Sequence, residues 1–514
     1  MTLIQWLLFI LVLQVIHFLG TWKLYVKAGR KAWEAIVPVY NAVVLMKIIN
    51  RPKWWVILLF IPIINLLMFP IIWVETIRSF GKNTTKDTWL VILTLGFYIY
   101  YVNYMEDLTY IEDRSLKPRT AAGEWVSSIA FAVIAATLVH TYFMQPYTIP
   151  TSSLEKSLLI GDFLFVSKFH YGARIPMTTV AAPMVHDTLP ILNVKSYLNW
   201  PQLPYMRLPA LQKIKRNDIV VFSWPVDTVE QFFKKTNRRI RKPIDKKSNY
   251  VKRCVGIPGD SLEIREGYVY INGKRNQLPD RARLQFYYAA DTDGKALSVK
   301  SLRTRYHVRE GGRLQDGNYI LNLSDEDAEL LRNNPTVKRL EKRISPKGQG
   351  ENVFPNVASL NWNKDNYGPI YIPEQGKTVA LNLETLPFYK QVIVEYEKNS
   401  LEIRNGEIFL NGSSDPSETY TFKQDYYWMM GDNRHNSEDS RYWGFVPFDH
   451  VVGKPVFIWF SWDKDGQGLS KVRWERLFTT VGGSGKPVSY FYPFVGLMVA
   501  LYAFNWYRKR KKAA

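Results

Sequence analysis

Trp125-Val-Ser-Ser-Ile-Ala-Phe-Ala-Val-Ile-Ala-Ala-Thr-Leu-Val-His-Thr-Tyr-Phe-Met144 holds no charged residue, and it soon gives way to Ile149-Pro-Thr-Ser-Ser-Leu-Glu-Lys-Ser-Leu-Leu-Ile-Gly-Asp162. A helix of ~20 apolar residues crosses ~30 Å of hydrocarbon, so the first stretch predicts a membrane anchor over 124–145. The second stretch, rich in hydroxyls and charges, cannot stay in lipid unsatisfied, so the chain leaves the bilayer there.

Toward the N-terminus, uncharged runs extend from Trp54 to Val74 and from Thr88 to Met105; toward the C-terminus another extends from Pro487 to Tyr507. The first and last are long enough to span and the middle one is marginal. Leu3 to Leu19 is interrupted by Gln5, Gln14 and His17. It lacks the basic n-region and small-residue cleavage site of a secretory signal peptide, and is read as a retained helix. Ala35 to Met46 is too short to span and carries Pro38, which predicts an interfacial or re-entrant piece. The expected order is a multi-helix membrane module over 1–105, a cytoplasmic linker over 106–123, the 124–145 anchor, a C-terminal transmembrane helix over 487–507 and a basic tail over 508–514. Lys23, Lys27, Arg30, Lys31, Lys47, Arg51 and Lys53 face one acid, Glu34, after the first helix, and the tail reads Arg508-Lys-Arg-Lys-Lys. By the positive-inside rule both are cytoplasmic, which puts the N-terminus and residues 145–486 on the extracytoplasmic side. The loop with Arg78, Lys82 and Lys86 falls on the wrong side of that count.

Of the 514 residues 47% are hydrophobic and 22% charged, with mean hydropathy −0.17, which excludes both a chain that is membrane helix throughout and a disordered one. The net charge of +21 calls for an anionic neighbour. No zinc, helix-turn-helix or RNA-recognition motif accompanies it, so the expected partner is a bilayer rich in anionic phospholipids and not nucleic acid. Trp54, Trp55, Trp89 and Trp125 stand at span ends, where amphipathic rings favour the interface. The single cysteine, Cys254, excludes an intramolecular disulfide and a CxxC zinc site, and is read as a small buried thiol.

The external region reads as mainly β. Asp218-Ile-Val-Val-Phe222, Tyr250-Val-Lys-Arg-Cys-Val255 and Tyr268-Val-Tyr-Ile271 are rich in β-branched and aromatic residues, and the last two are followed by a Pro-Gly and an Asn-Gly turn. Ser261-Leu-Glu-Ile-Arg-Glu-Gly-Tyr-Val-Tyr-Ile-Asn-Gly273 recurs as Ser400-Leu-Glu-Ile-Arg-Asn-Gly-Glu-Ile-Phe-Leu-Asn-Gly412, two copies of one hairpin plan. They bracket a β core expected over 146–279 and 399–465, interrupted by an inserted α+β segment over 280–398 on its rim. Within the insertion, Ser324 and Asp327 have capping-box spacing and predict a short helix.

Three segments carry chemistry. The serine-rich turn offers a nucleophile. Lys252 alternates with Tyr250 and Cys254 on one strand face, an apolar setting in which a lysine sheds its proton and becomes a base. Met430-Gly-Asp-Asn-Arg-His-Asn-Ser-Glu-Asp-Ser-Arg-Tyr-Trp-Gly-Phe-Val-Pro447 is a polar loop suited to orienting side chains. Asp439 with Arg441, and Asp432 with Arg253, read as structural ion pairs supporting the site. His435 is the rival base.

In the same order, and with Ile214-Lys-Arg-Asn-Asp-Ile-Val-Val-Phe222 between them, these segments resemble the boxes of bacterial signal peptidase I over roughly 122–279 and 399–463. The resemblance implies a Ser-Lys dyad serine endopeptidase of the inner membrane with a β-fold catalytic domain. It matches Ser153 to the nucleophile, Thr151 to the hydroxyl of the oxyanion hole, Lys252 to the general base and Ser437 to the serine that orients the lysine. Its substrates would be the signal peptides of exported preproteins, cut after a small residue, with no metal or cofactor. Leu154 stands where methionine is common, Lys156 where proline is usual and Thr151 where serine is usual. Residues 1–105 look like the extra membrane module of some Bacteroidota-type enzymes. The rival classes are a catalytically inactive β-domain serving as receptor or assembly factor, and an autoprotease using the same dyad.

Overall fold

Residues 2–118, 120–228 and 240–513 are described by the computed structural model of the protein; Arg119 of the linker and Ala514 of the tail lie outside the described residues. Two units form. One comprises 1–143, 173–208 and 238–247, the other 144–172, 209–237 and 248–514.

The first unit opens with the helix Leu3–Lys27, started by a capping box in which Thr2 and Gln5 satisfy each other's backbone N–H groups. Among the described residues, two helices are long and apolar enough to cross a membrane, Leu3–Lys27 and Ala121–Phe143. Thr85–Leu93 and Tyr98–Met105 add a third only if taken as one broken or re-entrant span, since they meet at 120°. The run from Trp54 to Val74, expected as a single span, is instead two helices, Trp55–Leu58 and Ile64–Ser79. Pro62 brings no N–H to the ladder and disfavours the helical conformation at Ile61, and Ile63 turns to a φ of 71°. Ala35 to Met46 gives a short 3-10 turn, Ala32–Ala35, and the nine-residue helix Tyr40–Ile48. Residues 173–208 make an antiparallel ribbon, bridged at Arg174 with Arg207, Thr178 with Gln202, Ala181 with Tyr197 and Thr188 with Lys195. Its stem meets the first helix, where the Trp6 indole N–H donates to Gln202 O at 3.0 Å.

The second unit is built on an eight-stranded antiparallel sheet. In spatial order it runs Met144–Thr148, Asp162–Ser167, Val451–Ser461, Ile219–Ser223, Asn249–Gly256, Tyr426–Met430 and Val446–Pro447, and Thr479–Thr480 joins Val451–Ser461. The registers matter for the site: Val220 lies opposite Lys252, and Met430 opposite Arg253. A second sheet holds Tyr367–Tyr371, Ser261–Arg265, Tyr268–Ile271 and Lys274–Arg275, and a third holds Arg339–Lys342, Gln285–Asp291, Tyr319–Ser324 and Gly311–Arg313. The segment 280–398 therefore supplies one strand, Tyr367–Tyr371, to the hairpin sheet as well as a sheet of its own.

The repeated hairpins share more than sequence. In each, the serine and the asparagine eleven residues on exchange bonds: Ser261 N–H donates to Asn272 Oδ1 at 2.9 Å, and Ser400 N–H to Asn411 Oδ1 at 3.1 Å. The Ser324 hydroxyl accepts from Asp327 N–H at 3.2 Å and starts the helix Asp325–Arg332. The C-terminal helix, expected over 487–507, begins at Phe491 and continues without a break into the basic tail to Ala513; it is less apolar than the two candidate spans.

Candidate active site

The serine-rich turn is closed at its base by two bonds, Ile149 N–H to Asp162 O and Gly161 N–H to Ile149 O, both 2.9 Å. Leu154 and Leu158 sink from it into an apolar cluster with Ile149, Leu164, Val166 and Val452. That leaves Ser152 and Ser153 at the crown, nearly buried by the segments that close over them. Among the described residues Ser153 N–H has no acceptor and the exposed Thr151 hydroxyl no partner. Two donors of the turn are thus uncommitted.

Lys252 is 3% exposed. The strand's period of two aligns it with Tyr250 and Cys254, and its Nζ stands 5.5 Å from the centroid of the Tyr250 ring. Among the described residues Nζ has neither an ion pair nor a hydrogen bond. Burial pulls its pKa from the ordinary 10.5 down to about 8, although Asp439 and Glu438 pull the other way. An amine that is neutral close to physiological pH can accept a proton. Burial pushes the Cys254 thiol well up instead, leaving it protonated, and its Sγ contacts Gly256 O at 3.3 Å.

The polar loop closes the site at Gly431. A Cβ built there would stand 2.1 Å from Ser437 Oγ and 2.6 Å from Ser153 O, so only glycine allows this approach. Met430, one residue earlier, faces Arg253, one residue after Lys252. Three sequence segments thus converge on one glycine. The Ser437 hydroxyl is buried without a hydrogen-bond partner among the described residues, and so retains its capacity to bond a neutral amine.

Two buried ion pairs brace the loop. Arg253 Nε and Nη2 reach Asp432 Oδ1 and Oδ2 at 2.7 and 2.6 Å. Arg441 Nε and Nη2 reach Asp439 Oδ1 and Oδ2, both at 2.8 Å. Burial works to raise the pKa of Asp439, but Arg441 and the Gly431 N–H hold it below the usual carboxylate range. His435 is committed elsewhere: its Nδ1 accepts Tyr287 N–H at 3.0 Å and its Nε2 lies 2.8 Å from Asp365 Oδ1.

Sequence reasoning missed several contributors. Asn433 N–H donates to Ser153 O at 3.0 Å, and its side-chain amide donates to Ser152 O at 3.3 Å. The Ser157 hydroxyl donates to Asp432 Oδ2 at 2.5 Å. Glu310 and Asp327, both from the 280–398 segment, bond Ser152 Oγ and Lys156 Nζ. The crowding of amides in the 431–447 loop hinted at Asn433; no local pattern could have marked Glu310, far from Ser152 in the chain.

Comparison with known proteins gives a consistent picture. The family model described as signal peptidase, peptidase S26, matches residues 122–327 and 364–462. A family of unknown function (DUF5684) matches residues 33–113. Signal peptidase I of Buchnera aphidicola subsp. Baizongia pistaciae is 25% identical over 347 residues, covering 67% of this chain and 79% of that protein. Signal peptidase I of Rickettsia rickettsii is 24% identical over 353 residues, 68% of this chain and 84% of the relative. The gap in the family match, 328–363, is narrower than the insertion expected from the sequence.

Proposed function

The chain belongs to the signal peptidase family, peptidase S26, a serine endopeptidase that removes signal peptides from preproteins, and from that premise we propose that Ser153 and Lys252 form its catalytic dyad. The convergence of Ser153 O and Ser437 Oγ on Gly431, beside the strand that carries Lys252, supports this reading above all. Neutral Lys252 takes the proton from Ser153 Oγ as the oxygen attacks the scissile carbonyl carbon. The negative charge that develops on the carbonyl oxygen is met by Ser153 N–H and the Thr151 hydroxyl. As the intermediate collapses, the C–N bond breaks and the lysine ammonium returns its proton to the departing amine of the mature chain. Lys252 then takes a proton from water, which attacks the acyl-enzyme and frees the signal peptide and Ser153. Ser437 holds the neutral amine in line, while Arg253 with Asp432 and Asp439 with Arg441 keep both walls of the site fixed. The enzyme cuts after a small residue, with another two positions before it, and uses no metal or cofactor.

The protein is a multi-pass protein of the bacterial inner membrane with its β domain extracytoplasmic. The module over 1–105, the 124–145 anchor and the 487–507 helix hold it there. The Trp6 bond to Gln202 supports this topology, because it ties the N-terminal end of the first helix to the 173–208 ribbon. Lipid contact is supported by the ribbon's tip, where Ile191 is 93% and Leu192 67% exposed, and by the net charge of +21, which suits anionic phospholipids. The test is cleavage of a synthetic signal peptide by the detergent-solubilised enzyme. Ser153→Ala should abolish turnover with folding intact; activity surviving in that variant overturns the dyad. Protease added to spheroplasts should digest residues 145–486 and spare the tail, and protection of that region reverses the topology.

A further inference from the structure

The turn that carries Ser153 is gripped on both sides by carboxylates from the 280–398 segment. On the N-terminal side, Glu310 Oε1 accepts the Ser152 hydroxyl. Glu310 Oε2 accepts from the side-chain amides of Asn436 at 2.6 Å and Asn433 at 3.2 Å. Asn433 in turn holds the carbonyls of both Ser152 and Ser153. The grip has its own foundation. Glu310 O accepts Asn322 N–H at 3.0 Å, and the Asn322 amide donates to Asn433 Oδ1 at 2.8 Å, with Asn322 and Asn433 both buried. On the C-terminal side, Lys156 adopts a φ of 68°, a left-handed conformation that a non-glycine residue enters at a cost. Its ammonium is paired with Asp327, which also accepts from Ser324 Oγ at 2.5 Å and lies 2.9 Å from His307 Nδ1. The residue that departs from the family's proline thus has a specific counter-charge on the helix Asp325–Arg332 of the inserted segment.

We propose that Glu310, with Asp327 in support, is a positioning residue for the nucleophile: the inserted segment fixes the 152–156 turn so that Ser153 Oγ is held toward Lys252 and Ser153 N–H toward the oxyanion. The proposal rests on Ser153 being the nucleophile, a reading that fails separately if Ser153→Ala stays active. A half-buried carboxylate shared by one hydroxyl and two amides fixes directions that none of the three would keep alone, because the amides donate and only an acceptor satisfies all of them. Glutamine at 310 would bring its own donor against Asn433 and Asn436. A misplacement of about 1 Å at a reacting centre costs on the order of 10²-fold in rate, so a grip of this kind acts on kcat.

The experiment compares Glu310→Ala, Glu310→Gln, Glu310→Asp, Ser152→Ala, Lys156→Met and the Glu310→Ala/Ser152→Ala pair in the full-length detergent-solubilised enzyme, using a synthetic signal peptide. Glu310→Ala and Glu310→Gln should lose about 10- to 100-fold in kcat with KM within about twofold, and the acid limb of the pH profile should stay where it is. Glu310→Asp should recover part of the loss, and Ser152→Ala and Lys156→Met should each lose several-fold. Because Glu310 acts through Ser152, the double variant should be no worse than Glu310→Ala, whereas independent sites would multiply their losses. A Glu310→Ala enzyme within twofold of the parent in kcat overturns the proposal, as do losses that multiply in the double variant or fall on KM. If Glu310→Ala does not fold, Ser152→Ala and Glu310→Gln decide by the same measurements.

Discussion

Arg253 and Asp432 grip each other through two parallel bonds, Nε to Oδ1 at 2.7 Å and Nη2 to Oδ2 at 2.6 Å, with both side chains shut away from water. One is the residue after Lys252, the other the residue after Gly431. The pair therefore fixes the strand of Lys252 against the polar loop beside Gly431. Each partner has a second tie: Arg253 Nη1 donates to Asn217 O at 2.8 Å, and Asp432 accepts the Ser157 hydroxyl.

Breaking such a pair from one side leaves a buried charge uncompensated. Asp432→Leu and Arg253→Met should each lose about 3–5 kcal/mol of unfolding stability, measured by denaturant titration or thermal melting in detergent. The double variant should recover much of that loss, because neither charge is then stranded. Losses that simply add would mean that the two residues act independently.

Lys252 yields a pH prediction whose sign is fixed. In the proposed dyad the neutral amine is the active form, and its pKa is pulled down to about 8, so kcat/KM should climb about tenfold per pH unit up to that value and level off above it. Lys252→Arg should be as inactive as Lys252→Ala, since guanidinium keeps its proton. Stability moves with pH as well. Between about 8 and 10.5 the unfolded chain holds a proton that the folded chain has released, so unfolding free energy rises with pH through that window. Below about 8 the cost of the buried ammonium is present in full. Lys252→Met should be more stable than the parent at pH 7, with a difference that shrinks toward pH 10.5. A kcat/KM flat from pH 6 to 9 removes lysine from the role of base.

The fold was readable wherever local pattern dominates. The strands Ile219–Ser223, Asn249–Gly256 and Tyr268–Ile271, and the cap at Ser324, announce themselves through β-branched runs, turn glycines and hydroxyl spacing. The two ion pairs could be suggested because acids and arginines cluster in one loop and one strand. The break at Pro62 was passed over because hydropathy counts apolar residues and ignores a missing N–H. Glu310 and Asn322 stayed hidden for a different reason: their partners lie more than a hundred residues away, and no periodicity links positions brought together only by tertiary folding.

His435 separates a structural histidine from a catalytic one. With Tyr287 N–H on one nitrogen and Asp365 at the other, its ring links the polar loop to the inserted segment. His435→Ala should lower stability by about 1–3 kcal/mol, the cost of leaving buried partners unsatisfied, and leave the acid limb near pH 8 unmoved. A limb that disappears in this variant while Lys252→Arg keeps measurable activity makes His435 the base.

Gly431 offers the sharpest test of how the site is assembled. Its φ lies outside the left-handed region, so alanine is acceptable to the backbone and any defect must come from the added methyl. That methyl would sit 2.1 Å from Ser437 Oγ and 2.6 Å from Ser153 O. The serine hydroxyl can rotate aside, though Ser437 Cβ, also at 2.6 Å, cannot; and Ser153 O belongs to the main chain of the turn, which Leu154 and Leu158 anchor in the core and Asn433 holds from above. Turn and loop must therefore part by several tenths of an ångström or more, and the gap opens between nucleophile and base. Gly431→Ala should lose on the order of 10²-fold in kcat with little change in KM. Removing the Ser437 side chain as well, in Gly431→Ala/Ser437→Gly, relieves only one of the two clashes and should not restore the rate. A Gly431→Ala enzyme within tenfold of the parent would mean that the approach of Ser153 to this glycine does not set the geometry of the dyad.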